Sequence, residues 1–486
     1  MSGRAPERWY AAAPLWLQQL MVTARGADHR WLRLSGRALR GELELLVQTQ
    51  WWDPERLAEL QARRLQALLA TAFAEVPHWR DLARRLGCAP GDFRGPADLR
   101  RLPVLTRGEV AAAPERFVSA RRARAPGVRG FATSGTTGLP VRTVESRQSF
   151  SRRWAYVARL RGWAGLADPV HPRRAQFTGQ VVVPGDARGV FWRRNLAGRA
   201  LLLSSYHLSE GAAPAYARAL VHFRPALVDG YPSAMLALAR LARAGGLELP
   251  RPRAVITTAE TLLPEHRAEL RAAFGCPVHD QYAATEPACF WGECEHGTLH
   301  ASPEYGVSEI VDERGEPVGP GEAGEVVTTS FLNPVMPLLR YRLGDRAVRG
   351  PDAPCPCGRR LPRVERVLGR EDDVLYVPER GWVGRLDPVF KGLDGLVEAR
   401  VVQEALDRVD VQLAAPGAGP GLEAEVLRRL RERLGGAVQL RVQRVERVPR
   451  GARGKLRLVE SRVRHLYPAA APVPAGASST ADEAWD

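Results

Sequence analysis

The chain has 486 residues, 45% of them hydrophobic, enough for two or three domains with a sizeable core and too many for one small domain. A formal charge of +16 suggests nucleic acid, but the arginines are scattered, with short runs such as Arg121-Arg122-Ala123-Arg124 and no basic stripe interleaved with aromatics, so a nucleic-acid partner is not expected. Six cysteines (Cys88, Cys276, Cys289, Cys294, Cys355 and Cys357) do not form the framework of a small secreted domain, and neither a cleavable signal nor an apolar run of ~18–20 residues is visible, so a cytoplasmic protein without an integral membrane segment is expected.

Residues 1–100 read as helical. The segment 9–22 carries Trp9, Tyr10, Leu15, Trp16, Leu17, Leu20 and Met21, a spacing that predicts a helix docked on the core rather than one lying on a membrane. Apolar positions then recur from Leu57 through Leu60, Leu65, Leu68 and Leu69 to Phe73. Asp53-Pro54 supplies a start signal and Pro77 follows the end. From about 128 to 345, short β-branched runs such as Val181-Val182-Val183 and Val255-Ile256-Thr257 alternate with helical stretches at 212–222 and 233–244, the βαβ rhythm of a sheet covered by helices. From about 305 the strands shorten (307–311, a Gly-rich turn at 315–324, then 325–329), which predicts a more antiparallel region. After about 385 a compact tail domain is expected, with strands at 397–402, 409–413 and 437–445, a helix at 421–434, and a Gly/Pro-rich loop at 415–421. Residues 468–486, rich in Ala, Pro, Ser and acidic residues, are expected to be disordered.

The strongest local signal is Thr133-Ser134-Gly135-Thr136-Thr137-Gly138-Leu139-Pro140. Its glycines permit a tight turn, and its hydroxyls and exposed N–H groups suit phosphate oxygens. No Gly-Lys-Ser/Thr ends it, so it is not a Walker loop. A second signal is compositional. Lys391 and Lys455 are the chain's two lysines among 70 basic residues, and a lysine kept in such a chain marks a place where a compact point charge is needed and arginine will not serve. Lys455 stands in Pro449-Arg450-Gly451-Ala452-Arg453-Gly454-Lys455; Lys391 has no matching motif.

These motifs resemble the adenylate-forming superfamily, and the others of its set occur in order. Tyr282-Ala283-Ala284-Thr285-Glu286 resembles its Tyr-Gly-x-Thr-Glu segment, with Ala283 where Gly is usual. Tyr341-Arg342-Leu343-Gly344-Asp345 resembles Tyr-Arg-Thr-Gly-Asp, and Gly369-Arg370-Glu371-Asp372-Asp373 resembles the hinge. Gly230-Tyr231-Pro232-Ser233, Thr257-Thr258-Ala259-Glu260 and Met336-Pro337-Leu338-Leu339-Arg340 look like the phenylacetate-CoA ligase-like branch. Arg385-Leu386-Asp387 and Phe390-Lys391-Gly392-Leu393 look like its capsule-biosynthesis subgroup, which links the chain to polysaccharide biosynthesis.

The resemblance covers about residues 50–465 and implies an α/β fold: a large multi-layer domain of βαβ units over 51–371, preceded by a helical extension at 1–50 and followed by a small mobile α+β lid at 372–466 and a tail at 467–486. It implies an ATP- and Mg2+-dependent ligase. ATP would meet Thr133, Ser134, Gly135, Thr136, Thr137 and Gly138, with adenine on Tyr282, ribose on Asp345 and Arg370 against the nucleotide. Thr285 and Glu286 would face phosphates and magnesium. Lys455 would bridge carboxylate and α-phosphate, and Asp372 would be the pivot that later withdraws it. The acyl group would pass to CoA. The alternatives are transfer to an amine or a carrier protein in polysaccharide or secondary-metabolite biosynthesis, and an adenylyltransferase that leaves AMP on its product. The acid itself, and whether the chain forms a homodimer, stay open.

A metal site is a separate expectation. Cys294-x5-His300 precedes Cys355-Pro356-Cys357, and three thiolates with one imidazole suit structural, tetrahedral Zn2+. Cys289 is a substitute ligand and His296 a rival to His300. His207, in Ser204-Ser205-Tyr206-His207, is a lone histidine that reads more readily as structural than as part of a carboxylate pocket.

Overall fold

The computed structural model describes residues 9–10, 12–34, 36–132, 141–178, 182–184, 187, 189–205, 207–208, 211–260, 262, 264–284, 286–370, 374–378, 381–384, 386–390, 393, 396, 398–415, 418–445, 448, 458–463 and 466. The chain divides into two units, Met1–Glu371 and Asp372–Asp486.

The first unit begins with helices α1 (Leu15–Leu34), α2 (Arg37–Thr49), α3 (Pro54–Glu75) and α4 (Pro77–Leu86). The start of α3 follows from its sequence. Asp53 accepts from the Arg56 N–H at 2.8 Å and Pro54 occupies the first turn, where its missing N–H costs nothing. Leu57, Leu60, Leu65, Leu68, Leu69 and Phe73 form its buried face. Pro77 cannot continue α3 and opens α4, which ends on Gly87 at φ +60°. The apolar pattern of residues 9–22 has a mixed outcome. Helix α1 docks through polar groups: Arg193 Nε donates to Gln18 Oε1 at 3.0 Å and the Arg194 N–H to Gln19 Oε1 at 2.8 Å. Trp9, Leu15, Trp16, Leu20 and Met21 are exposed. The helix docks as expected, but five of the seven apolar residues of the pattern face outward, while Tyr10 and Leu17 are half-buried.

After the short helix α5 (Arg107–Ala112), the hairpin β1 (Arg129–Ala132) and β2 (Arg142–Glu145) leads to α6 (Arg147–Trp163). A sheet of 12 strands follows. It is built from β3 (Arg174–Thr178), β4 (Trp192–Asn195), β5 (Ala200–Ser204), β6 (Leu227–Gly230), β7 (Ala254–Thr258), β8 (Val278–Ala283), β9 (Phe290–Glu293), β10 (Leu299–Ala301), β11 (Gly306–Val311), β12 (Ala323–Ser330), β13 (Tyr341–Arg349) and β14 (Arg363–Arg370). The spatial order is β11-β12-β13-β14-β10-β9-β8-β7-β6-β3-β5-β4. Strands β8, β7, β6, β3 and β5 are mutually parallel, and the rest pair antiparallel. The more antiparallel region expected after 305 is thus an extension of the same sheet. Within the run Val181-Val182-Val183, Val182 and Val183 are buried but lie outside any strand, and Val181 is outside the described residues. The strand is at Arg174–Thr178 instead.

Helices α7 (Ala213–Phe223), α8 (Pro232–Ala244) and α9 (Pro264–Phe274) cover one face of the parallel strands. Val228 and Val255 pack on that side, while Leu227, Ala254 and Ile256 pack on the other against Leu46 of α2 and Tyr156 and Leu160 of α6. Alternate residues of one strand therefore serve two cores, which is why these strands are apolar without a break. Two buried carboxylates fasten the helices. Glu42 takes Arg64 (2.9 Å), Arg152 (2.8 Å) and the Tyr156 hydroxyl (2.8 Å). Glu304 takes Arg159 (2.8 Å) and the Thr49 hydroxyl (2.6 Å).

The second unit holds the hairpin β15 (Val374–Val377) and β16 (Gly381–Gly384) and a sheet ordered β19-β18-β17-β20, from β17 (Glu398–Ala405), β18 (Arg408–Ala414), β19 (Gln439–Arg444) and β20 (Val459–Ser461). Helix α10 (Leu422–Leu434) buries Leu422, Val426, Leu430 and Leu434 against it.

Candidate functional site

Motifs separated in sequence collect where the parallel strands end. Strand β6 stops at Gly230, at φ +138°, where an added Cβ would lie 1.8 Å from the Phe177 carbonyl oxygen. Only glycine allows this approach. Tyr231 then donates its N–H to the Phe177 carbonyl, and Pro232 opens α8. After β7, Ala259 takes a left-handed conformation at φ +67°, a strained choice for a residue with a Cβ.

Strand β8 carries Tyr282, and its hydroxyl donates to Asp345 Oδ2 of β13 at 2.7 Å. The Tyr282 ring lies 4.5 Å from Trp291, centroid to centroid. Gly344, at φ +79°, turns the backbone just before Asp345, and the register sets Asp345 opposite Arg370 of β14. Ala283 is exposed and in strand conformation, so its methyl group is accommodated where the resembled motif has glycine.

Glu286 is buried. Arg107 of α5 donates to its Oε1 at 3.2 Å and the Tyr341 hydroxyl at 3.5 Å. Nearby, Arg153 holds buried Glu145 at 2.9 Å and reaches the Ala284 carbonyl at 3.5 Å. Burial pushes the Glu145 carboxyl upward despite this partner. Arg107, Arg153 and Trp291 were missed in the sequence. Arg107 follows a Thr106/Glu109 capping box, which marks a helix start but not a role.

Residues 133–140, Thr285, Asp372, Lys391, Lys455 and 468–486 lie outside the described residues, as does the side chain of Arg370. His207 lies beyond β5 with Nδ1 2.7 Å from Ser204 Oγ, stacked on Phe191 at 5.4 Å. Its Nε2 is buried without a hydrogen-bond partner among the described residues.

A second cluster lies beside the sheet. Cys294 follows β9, His300 is on β10, and Cys355 and Cys357 come from the connection between β13 and β14. Their ligand atoms all lie within 4.8 Å of one another. Cys294 Sγ is 3.8 Å from Cys355 Sγ, and Cys357 Sγ is 3.4 Å from His300 Nε2. His300 Nδ1 lies 3.2 Å from the Leu361 carbonyl, which leaves Nε2 toward the sulfurs. Neither Cys289 nor His296 belongs to the group.

Glycine turns and an aromatic ring at the ends of parallel strands, with the Asp345 carboxylate of antiparallel β13 beside them, form an arrangement that can take a nucleotide. The family model for the CapK C-terminal domain matches residues 375–462. Protein CapK of Staphylococcus aureus is 26% identical over 409 residues, 83% of this chain and 87% of that protein. The phenylacetate-coenzyme A ligase of Thermus thermophilus is 29% identical over 344 residues, 66% of this chain and 72% of the relative. In fold, the crystal structure of 2-hydroxyisobutyryl-CoA ligase in the postadenylation state superposes with a TM-score of 0.56 at 20% identity, covering 86% of this chain and 92% of that one. The chain is thus similar in sequence to CapK and to phenylacetate-CoA ligases, and it shares the fold of an acyl-CoA ligase.

Proposed function

We propose that the protein is an AMP-forming acid–CoA ligase. A carboxylate oxygen attacks the α-phosphorus of ATP and pyrophosphate leaves. The CoA thiol then loses its proton and its sulfur attacks the acyl carbon; the bond from that carbon to the phosphate oxygen breaks, and AMP leaves with the oxygen and the electron pair. The observation that supports this reading is the Tyr282–Asp345 pair, which sets side by side a carboxylate acceptor and an aromatic face, the two groups a ribose and a base require. Glu286, aimed by Arg107 and Tyr341, suits a hard cation shared with phosphate oxygens. Magnesium bound there would neutralise charge on the leaving phosphates. The 133–140 loop is assigned to phosphate oxygens and Lys455 to the charge that develops on the α-phosphate. Arg370 and Thr285 are assigned to the nucleotide, and Asp372 to a pivot.

Similarity to CapK and the match to its C-terminal domain support the resemblance to the capsule-biosynthesis subgroup, and on that resemblance the acid is one used in polysaccharide biosynthesis. ATP–pyrophosphate exchange, screened over aryl, amino and short-chain acids, tests the first half-reaction. Exchange with one acid that is lost in Lys455→Ala is expected. Absence of exchange with every acid, despite ATP binding, sinks the reading.

The sulfur–histidine cluster is assigned to structural zinc. Bond lengths of ~2.3 Å to sulfur and ~2.0–2.1 Å to nitrogen at tetrahedral angles place sulfurs roughly 3.8 Å apart and sulfur and nitrogen roughly 3.6 Å apart. The Cys294–Cys355 and Cys357–His300 distances of 3.8 and 3.4 Å suit that polyhedron. Four protein ligands leave no open position, so the ion would clip the β13–β14 connection to β9 and β10. Elemental analysis should find one zinc per chain, absent from Cys355→Ser.

A further inference from the structure

A cavity of about 110 Å³ lies away from the motif-bearing strand ends. It opens beside the first residues of β3 and is lined by Arg30 of α1, Arg161 and Trp154 of α6, His171, and Arg174 of β3. Its volume equals that of roughly four liquid waters, at about 30 Å³ each, which is room for one phosphate head. Helix α1 roofs it. Gly26 permits this, because a Cβ there would fall 2.0 Å from Asn195 Oδ1, and Arg30 anchors the roof by donating to the Ala197 carbonyl at 3.1 Å.

The cavity wall is cationic and under-compensated. None of the described residues that line it is acidic. Behind the wall, Arg161 and Arg174 are both buried and converge on one oxygen, Asp229 Oδ2, at 3.4 and 3.1 Å. Asp168, the next carboxylate, is engaged by Arg199 and by the His171 N–H. Two buried guanidiniums thus share one carboxylate while a third guanidinium stands at the mouth beside the His171 imidazole, which burial and Arg30 hold toward its neutral form. Burial first, then Arg174 beside it, pulls the Arg161 guanidinium down to about 10 against the pull of Asp229 and Asp168, and its guanidinium lies over the Trp154 ring at 5.7 Å. Buried cations without full compensation are costly unless an anion completes them.

We propose that this cavity is a second anion site, built to take a phosphate group, either free or as the end of a larger metabolite. A tetrahedral phosphate offers acceptor oxygens in several directions at once and suits guanidinium forks approaching from different elements. Helix α1 would then be ordered by the ligand it covers.

The test is calorimetric titration of the full chain with inorganic phosphate and, separately, glycerol 3-phosphate at fixed ionic strength. Three variants accompany it. Arg174→Gln removes a buried donor, Arg30→Ala removes an exposed donor and with it the anchor of the roof while leaving the core intact, and Thr136→Val lies in the loop assigned to ATP. The expected result is phosphate binding that weakens about tenfold in Arg174→Gln and several-fold in Arg30→Ala, as loss of a charge-assisted contact predicts, with Thr136→Val unchanged. Tighter binding of the ester identifies the phosphorylated end of a larger molecule as the ligand; equal binding identifies the free ion. Failure of both probes to bind overturns the proposal. So does binding that is insensitive to Arg30→Ala, which decides the matter even if Arg174→Gln does not fold, or binding lost only in Thr136→Val.

Discussion

At the scale of single residues, the Tyr282–Asp345 hydrogen bond joins two strands of the candidate site. Asp345→Asn keeps the shape but weakens the acceptor. It should raise the KM for ATP in pyrophosphate exchange by about tenfold, the worth of one charged hydrogen bond, with little loss of melting temperature. Gly230→Ala should do the reverse. The added methyl group meets the Phe177 carbonyl at a φ that alanine avoids, so a loss of at least about 3 kcal/mol in denaturant titration is expected. Asp280 gives a pH signature. Burial, with Glu293 nearby, holds its carboxyl up at about 7, against lowering by the Thr257 hydroxyl (2.6 Å) and Arg267. The unfolded group titrates near ~3.9. Between these values the folded chain retains a proton that the unfolded chain has lost. Stability from this group is therefore fully present below about pH 4 and falls by about 1.4 kcal/mol per pH unit up to about pH 7. Asp280→Asn should flatten that fall in thermal melts from pH 5 to 8; an unchanged slope would mean the carboxyl is ionised throughout.

At the scale of elements, helix α3 was legible because Asp53, Pro54 and Pro77 act within a few residues of themselves and its apolar face is buried. Helix α10 and strands β17 to β19 were legible for the same reason, each carrying its own pattern. Helix α1 was legible as a helix but not in orientation. Its docking depends on Gln18, Gln19 and Arg30 meeting the edge strand β4 and the turn after it, contacts more than 160 residues away in sequence. The motifs named Tyr282, Glu286 and Asp345, but not Arg107, whose link to Glu286 spans 179 residues. Helix α6 depends on two charge networks that local pattern could not show. Arg159→Ala leaves Glu304 buried with only neutral partners, and should cost about 3–5 kcal/mol in urea titration, as breaking one side of a buried ion pair does. A loss under 1 kcal/mol would show that water reaches the pair.

Across the whole molecule, no helix among the described residues is long and apolar enough to cross a membrane, yet an apolar stripe of α1 faces outward. Conventional surface logic would place those residues inside, so the first helix is where folding rules and sequence pattern disagree most. The connection carrying Cys355 and Cys357 is tied to a distant place. Arg360 donates its N–H to the Gln50 carbonyl at 3.1 Å. Gln50 Oε1 accepts from Trp163 at 2.7 Å and from Arg359 at 3.2 Å. Arg359 also lies over the rings of Trp163 (4.6 Å) and Trp51 (5.3 Å).

This knot makes two indoles neighbours of the sulfur cluster, which gives the protein a built-in optical gauge. A guanidinium over an indole alters its emission, so on the zinc assignment proposed above, stripping the ion with a chelator should shift tryptophan fluorescence as Arg359 moves. The change should shrink in Trp51→Phe and be absent from Cys355→Ser. Metal occupancy could then be followed in real time in unlabelled protein, without touching the nucleotide site.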